Sequence, residues 1–217
     1  AWTLHTTDHQ VAGRGRLDRS FEMPDQAGVA VSVLLRPAAD RDLTWTWLPL
    51  IVGIATCEAF ETFGVESVLK WPNDVLTPKQ RKLAGILAER VETPEGPAAV
   101  IGVGANVSLT LQELPTPSAT SLLLENATTT DRHQIVATLA AAIRRWTELW
   151  ESGENAMIEQ AYRARCSTIG QEVRIVRAGL DDVTGVAEGI DSFGCLIVDG
   201  QPWSAGDVVH VRPVASN

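Results

Sequence analysis

The sequence predicts an α+β protein: a mixed or antiparallel sheet flanked by helices, followed by a small all-β module. Three observations carry this reading. Short apolar runs of strand length recur between residues 29 and 108. Two longer stretches repeat apolar residues at helical spacing. After Ile169 the texture changes to four short strands with glycines between them.

The elements follow in order. Val29 to Leu35, "VAVSVLL", lies between Gly28 and Pro37 and reads as a buried strand. Trp47 to Phe63 places Leu48, Val52, Ala55 and Ala59 on one helical face, and Gly64 suits the helix end. Val65 to Trp71 is a short strand stopped by Pro72. Lys82 to Glu92 and Ala98 to Ser108 are strands joined across "ETPEGP", which predicts an antiparallel hairpin. Asp131 to Glu151 is a helix with Asp131 as N-cap, Gln134 in capping-box position, and a face of Ile135, Leu139, Ala142, Ile143, Trp146 and Trp150. A second helix runs from Glu154 to about Arg165. The runs "GQEVRIVR", "VTGVAEGI", "GCLIVDG" and "DVVHVR" then predict a small β-barrel. The expected domains are residues 1–168 and 169–217, divided near Thr168.

Composition narrows the function classes. The 217 residues suffice for one core with a small appendage. A net charge of -9 and a pI near 4.9 argue against a nucleic-acid partner. No apolar run reaches the roughly 18 residues of a membrane span, so no membrane association is expected. The start "AWTLHTTDHQ" has no charged n-region or apolar h-region, so no signal peptide is expected. Cys57, Cys166 and Cys195 are odd in number and far apart, which suits reduced thiols in a cytoplasm. They form no CxxC pair, and no metal site is expected.

Against that acidic background, Gln10 to Arg19, "QVAGRGRLDR", gathers Arg14, Arg16 and Arg19 around Gly13 and Gly15. Glycines let a backbone approach a ligand closely, and arginine presents a planar fork of donors to phosphate or carboxylate. The loop is either an anion site or a solvated basic turn. It lacks the GKS/T of a phosphate-binding Walker loop.

Three further clusters lie on successive strands. "KWPNDV", Lys70 to Val75, ends a strand in a cation, a ring, a rigid turn, an amide and a carboxylate. Asn73 and Asp74 either cap the local turn, or Lys70 faces a phosphate while Asp74 orients a metal, a hydroxyl or an amine. "KLAGILAE" sets Lys82 near Gly85, where the missing side chain leaves room for a flat ligand, or marks an exposed lysine and a bulge. "GVGANVS" places Gly102, Gly104 and Asn106 on one strand face, so that a slot opens there. Together the four clusters predict one pocket floored by a sheet.

"GRGR" with Arg19 and Phe21, then "KWPNDV", "KLAGILAE" and "GVGANV" in that order, resemble the bacterial biotin–protein ligases. The most specific part is "KWPND" followed eight residues later by "KLAGIL". The resemblance implies a catalytic fold like that of class II aminoacyl-tRNA synthetases, with an SH3-like C-terminal domain. It implies activation of biotin by Mg-ATP to biotinyl-5'-AMP, then transfer to a lysine of a biotin carboxyl carrier protein.

By the same resemblance Lys82, Arg16, Lys70 and Asp74 are catalytic. Gln10, Gly13, Arg14, Arg16, Lys82, Gly85 and Gly102 hold biotin. Arg14, Gly15, Arg19, Phe21, Lys70, Asn73 and Asn106 hold the nucleotide. Lys82 bridges the biotinyl carbonyl and the phosphate, Gln10 reaches biotin from the strand before the loop, and Asp74 positions the acceptor amine.

The sequence departs from the family at Asp18, usually glycine, and at Phe21, often tryptophan. A Ser-Thr-Asn segment that grips biotin's ureido ring in the family has no counterpart before Gln10. The chain therefore reads as an N-terminally incomplete, monofunctional member without a DNA-binding domain. Two alternatives stand beside it: a lipoate or octanoate ligase relative, and a truncated chain that binds biotin or a carrier protein without catalysis. Exposed sheet edges in this fold class allow a homodimer.

Overall fold

Alternation, rather than continuous burial, organises the main sheet. The computed structural model describes residues 2–7, 9–16, 21, 23–37, 44–177, 179–205 and the backbone of 210–213. Strand β1 is Trp2–Thr7 and β2 is Gly28–Leu35. In β2, Val29, Val31, Val33 and Leu35 are buried while Ser32 is exposed. The run read as wholly buried is thus a two-faced strand. Strands β3 (Val68–Lys70), β4 (Asp74–Leu76), β5 (Lys82–Thr93) and β6 (Gly96–Asn106) complete a six-stranded sheet in the order β1-β2-β6-β5-β4-β3. Each ladder is antiparallel.

Two of these strands escape the sequence reading. β1 lies in "AWTLHTTDHQ" and pairs along β2 from Trp2 to Thr7. It ends there, so Gln10 stands in the loop rather than on the strand before it. β4 lies in "KWPNDV", which forms a tight hairpin through Trp71, Pro72 and Asn73 instead of leaving the sheet. The predicted β5–β6 hairpin is present and longer than expected, closing at Thr93 and Gly96.

Helix α1 (Leu48–Glu61) follows a short 3-10 turn at Trp45–Trp47. Its end is a Schellman motif: Val65 N–H donates to the Phe60 carbonyl, Gly64 N–H to the Glu61 carbonyl, and Gly64 has φ +78°. The expected single apolar face is too narrow. Ile51, Ile54 and Cys57 are as buried as Leu48 and Val52. The reason is that α1 touches the sheet on one side and α2 (Arg132–Ser152) and α3 (Asn155–Arg165) on others. α2 starts as predicted: Asp131 accepts from the N–H groups of His133 and Gln134. It stops at Gly153, in the left-handed region.

Among the described residues the C-terminal part holds five strands rather than four: β7 (Glu172–Val176), β8 (Val183–Ile190), β9 (Leu196–Val198), β10 (Gln201–Trp203) and β11 (His210–Pro213). They pair antiparallel in the order β10-β9-β8-β7-β11. The extra hairpin turns at Asp199–Gly200. Both have positive φ, 47° and 74°, as a two-residue Asp-Gly hairpin turn requires.

This small sheet is tied to the larger part. Trp71, 1% exposed, donates its indole N–H to the Gly194 carbonyl (3.0 Å) and its backbone N–H to Thr168 Oγ1 (3.0 Å). The Trp47 indole donates to the Ser192 carbonyl (2.9 Å). Ile175, Ile190 and Leu196 belong to the same apolar cluster as Ile54 and Trp71. No described helix is long and apolar enough to cross a membrane. The three cysteines are free, and burial pushes the Cys57 thiol up to about 12.

Candidate active site

The helices cover one face of the six-stranded sheet and leave the other to a cavity of about 290 Å³. Register builds its floor. Lys70 stands opposite Asp74, Asp74 opposite Gly85, Gly85 opposite Gly104, and Gly104 opposite Ala30. A second rank sets Leu87 opposite Gly102 and Gly102 opposite Ser32. All eight residues line the cavity. The two ranks put small residues at the centre and a charged pair at one side.

Lys82 joins this face through a β-bulge. Val75 pairs with Ala84, but Leu76 pairs with Lys82, so Leu83 is an extra residue. Without it Lys82 would share the buried helix-side face of Ala84. With it, Leu83 and Ala84 are both buried and Lys82 turns onto the cavity side. Its Nζ lies 2.5 Å from Asp74 Oδ1 and 3.3 Å from where a side chain at Gly85 would begin, a tight approach. Gly85 therefore makes room for Lys82 as well as for a ligand.

The arginine-glycine loop forms another wall. Its neck is Gly13, whose carbonyl accepts from Phe21 N–H (2.9 Å). A side chain at Gly13 would begin 2.1 Å from the Phe21 carbonyl oxygen, so the close approach demands glycine. Gly13 itself stays outside the cavity, whereas Gln10, Arg14, Gly15, Arg16 and Phe21 line it. Arg14 pairs with Glu89 (3.0 Å), and Arg16 donates to the Ala205 carbonyl, just beyond β10. The Phe21 ring lies over Gly104, 2.5 Å from where a Cβ would sit. It fills part of the predicted slot.

Two predicted amides serve the backbone. Asn73 Nδ2 donates to the Ile86 carbonyl (3.0 Å), and Ile86 N–H donates to the Asn73 carbonyl (2.9 Å), which fastens the hairpin to β5. Asn73 still borders the cavity. Asn106 does not border it. Its side chain is buried and its Nδ2 bonds the carbonyls of Thr120 (2.9 Å) and Lys82 (3.3 Å). Arg19 and Asp18 lie outside the described residues.

The structure adds Ser32, Leu87, Glu89 and Ala30, which the sequence reading missed. Alternation in "VAVSVLL" was the available signal for Ser32, a polar residue at the second position off the buried face. Among the described lining residues, Arg14, Arg16, Lys70 and Lys82 face Asp74 and Glu89. The excess of cations suits an anionic ligand, held over a floor where glycines admit a flat body.

Comparison with known proteins agrees with this geometry. Residues 1–106 match the Biotin/lipoate A/B protein ligase family, and residues 168–211 match the Biotin protein ligase C terminal domain. The chain is 39% identical over 213 residues to the biotin–[acetyl-CoA-carboxylase] ligase of Mycobacterium tuberculosis, covering 94% of this chain and 77% of that one. It is 31% identical to the bifunctional ligase/repressor BirA of Escherichia coli, covering 93% of this chain and 64% of that longer protein. The structure of a biotin protein ligase from Aquifex aeolicus in complex with biotin and ATP superposes with a TM-score of 0.76 at 24% identity, covering 97% of this chain and 89% of that one. That likeness concerns the fold alone. With the motifs on one cavity and the identity extending over nearly the whole chain, the protein belongs to the biotin protein ligase family.

Proposed function

We propose that this chain activates biotin with ATP and transfers it to a lysine of a biotin carboxyl carrier protein. The observation that carries the reading is the bulge-directed Lys82, set beside Asp74 in a cavity that Lys70, Arg14 and Arg16 also line. Adenylation joins a carboxylate to a polyphosphate, so cations must stand between two anions.

In the first step a biotin carboxylate oxygen bonds the α-phosphorus of Mg-ATP and the bond to pyrophosphate breaks. Lys82 supports the charge that develops on the shared oxygens, and Lys70 and Arg14 neutralise the leaving phosphates. Biotin's bicyclic body rests over Gly85, Gly102 and Ser32. In the second step the carrier lysine's amine bonds the activated carbonyl carbon, AMP departs and a proton is released. Asp74, paired with Lys82, lies where it can orient that amine. Arg16 and the loop it belongs to keep water from the mixed anhydride. Arg19 belongs to the same reading as a phosphate contact.

The reading includes the division into a catalytic part, residues 1–168, and a C-terminal domain, residues 169–217. The free thiols fit a reducing cytoplasm. Strand β1 ends the sheet with no further ladder among the described residues, which supports a homodimer through that edge.

The test is pyrophosphate release from ATP by the purified chain with biotin, octanoate or lipoate. Release with biotin alone is expected. Release only with octanoate or lipoate would replace this reading with that of a lipoate-type ligase.

A further inference from the structure

The bulge turns Lys82 into the cavity while it stays in register with Leu76 of β4, and a segment outside the sheet's named strands binds its N–H and carbonyl. Lys82 N–H donates to the Ser118 carbonyl (2.7 Å), and Thr120 N–H donates to the Lys82 carbonyl (2.9 Å). Asn106 Nδ2 donates to the Lys82 carbonyl as well, and to the carbonyl of Thr120. The peptide of Lys82 is therefore fixed by the segment 118–120, which lies about forty residues further along the chain.

That segment has its own anchor. Glu125 Oε1 accepts from Thr120 Oγ1 (2.6 Å) and from Arg81 Nη2 (2.5 Å). Thr120 is fully buried and the Glu125 side chain is 18% exposed. One carboxylate oxygen thus grips both the residue before Lys82 and the residue whose N–H donates to the Lys82 carbonyl. Charged hydrogen bonds in partial burial are short and strong, and a shared acceptor couples the two donors. Glu125 lines no part of the cavity.

We infer that Glu125 is a positioning residue for Lys82, acting through Arg81 and Thr120. This rests on the ligase reading for its catalytic consequence, but not for its structural one. A shift of an ångström in a catalytic ammonium lowers the rate of the chemical step more than substrate binding. The remaining groups around the segment, Asn106 and Ser118, hold the Lys82 peptide without touching its side chain.

The test measures amide hydrogen exchange together with steady-state pyrophosphate release. In Glu125→Ala, exchange at the Lys82 and Thr120 amides should quicken by about tenfold or more, with α2 unchanged. The kcat for biotin-dependent release should fall by about tenfold or more while KM for biotin stays within about threefold. Glu125→Gln, whose amide oxygen still accepts from both donors, should stay within about threefold of wild type on each measure. Wild-type exchange in a folded Glu125→Ala, a loss confined to KM, or a Gln variant as impaired as the Ala variant would each overturn the assignment. If Glu125→Ala does not fold, Thr120→Val, which keeps the buried volume and removes the hydroxyl, decides by the same measures. If the wild type releases no pyrophosphate with biotin, the ligase reading falls, and exchange at Lys82 and Thr120 still decides the positioning.

Discussion

The two walls of the cavity are built on opposite principles. On one side Lys82, Asp74 and Lys70 stand on strands held by the ladder, by the Asn73–Ile86 pair and by the 118–120 segment. On the other side Arg14 and Arg16 reach out from the Gly13 neck by their side chains, to Glu89 and to the Ala205 carbonyl. The Arg14 side chain is 67% exposed, and its partner Glu89 is 41% exposed. An exposed ion pair of this kind contributes only about 0–1 kcal/mol. The difference separates two tasks. Groups that stabilise developing charge must be in place before the reaction. Groups that enclose a reactive anhydride must let the ligand in first and are held weakly without it.

Breaking the rigid wall should produce the largest effect. Lys82→Ala should lower biotinyl-adenylate formation by about 100-fold or more, the scale of removing one electrostatic stabiliser. Its thermal midpoint should stay near wild type, because the side chain supports no core. Activity within tenfold of wild type in a pyrophosphate-release assay would remove Lys82 from its place.

The next effect is on stability. Trp71→Ala empties a fully buried site and cuts the bond to Gly194, with an expected loss of about 3–5 kcal/mol in urea unfolding. Because the apolar cluster runs through this junction, removing residues 169–217 should impair adenylation and transfer together. Intact adenylation in the truncated chain would show that the core divides more cleanly than its contacts imply.

Gly102→Ala probes the floor between the walls. A methyl there would meet only the Leu87 carbonyl oxygen, at 3.8 Å, so the fold has room for it. Biotin affinity should fall by about tenfold in calorimetry, the scale of one displaced group in a fitted pocket, with unchanged stability. Undiminished affinity would move biotin away from the Gly102–Ser32 rank.

The loose wall should respond more gently. Arg16→Ala should leave adenylation within about tenfold of wild type and release biotinyl-AMP to solvent several-fold faster. Retention equal to wild type in a filtration assay would mean that the loop does not close over the anhydride.

The smallest effect lies far from both walls. The N–H groups of Gln134 and His133 hold the Asp131 carboxyl below its usual 3.8. A lowered carboxyl stabilises the fold above its unfolded pKa, and that contribution is lost as pH falls through the folded value. Asp131→Ala should therefore lower the melting temperature slightly at pH 7, and the gap should close below about pH 4. A gap that persists in acid would assign the loss to something other than the ionised cap.

Much of this protein is readable from short stretches of chain. The limits of α2 follow from Asp131 and Gly153, because caps satisfy nearby backbone groups and need nothing distant. The β5–β6 hairpin follows from two apolar runs and a turn between them. The motif residues Lys70, Asp74, Lys82, Gly85 and Gly102 were legible as chemistry, since a cation or a missing side chain announces itself locally. The turn at Asp199–Gly200 was equally local and was overlooked as a hairpin. Strand β1 was harder to see, with His5, Thr6 and Thr7 giving its outer half a polar composition.

What stayed hidden depends on register and packing. Ser32 reaches the floor only because β2 pairs with β6 at Gly102. Asn106 had the composition of a ligand contact, yet its amide is engaged by carbonyls from two other segments. Helix α1 is buried all round because α2, α3 and the sheet close on it, whichever face its own periodicity favours. The direction of Lys82 is the clearest case. Local alternation sends that side chain toward the helices, and one unpaired residue, Leu83, reverses it. A bulge is settled by how two strands match across a sheet and by what binds the peptide groups beside it. Those partners, Ser118, Thr120 and Asn106, lie far along the chain and meet Lys82 only in the folded protein.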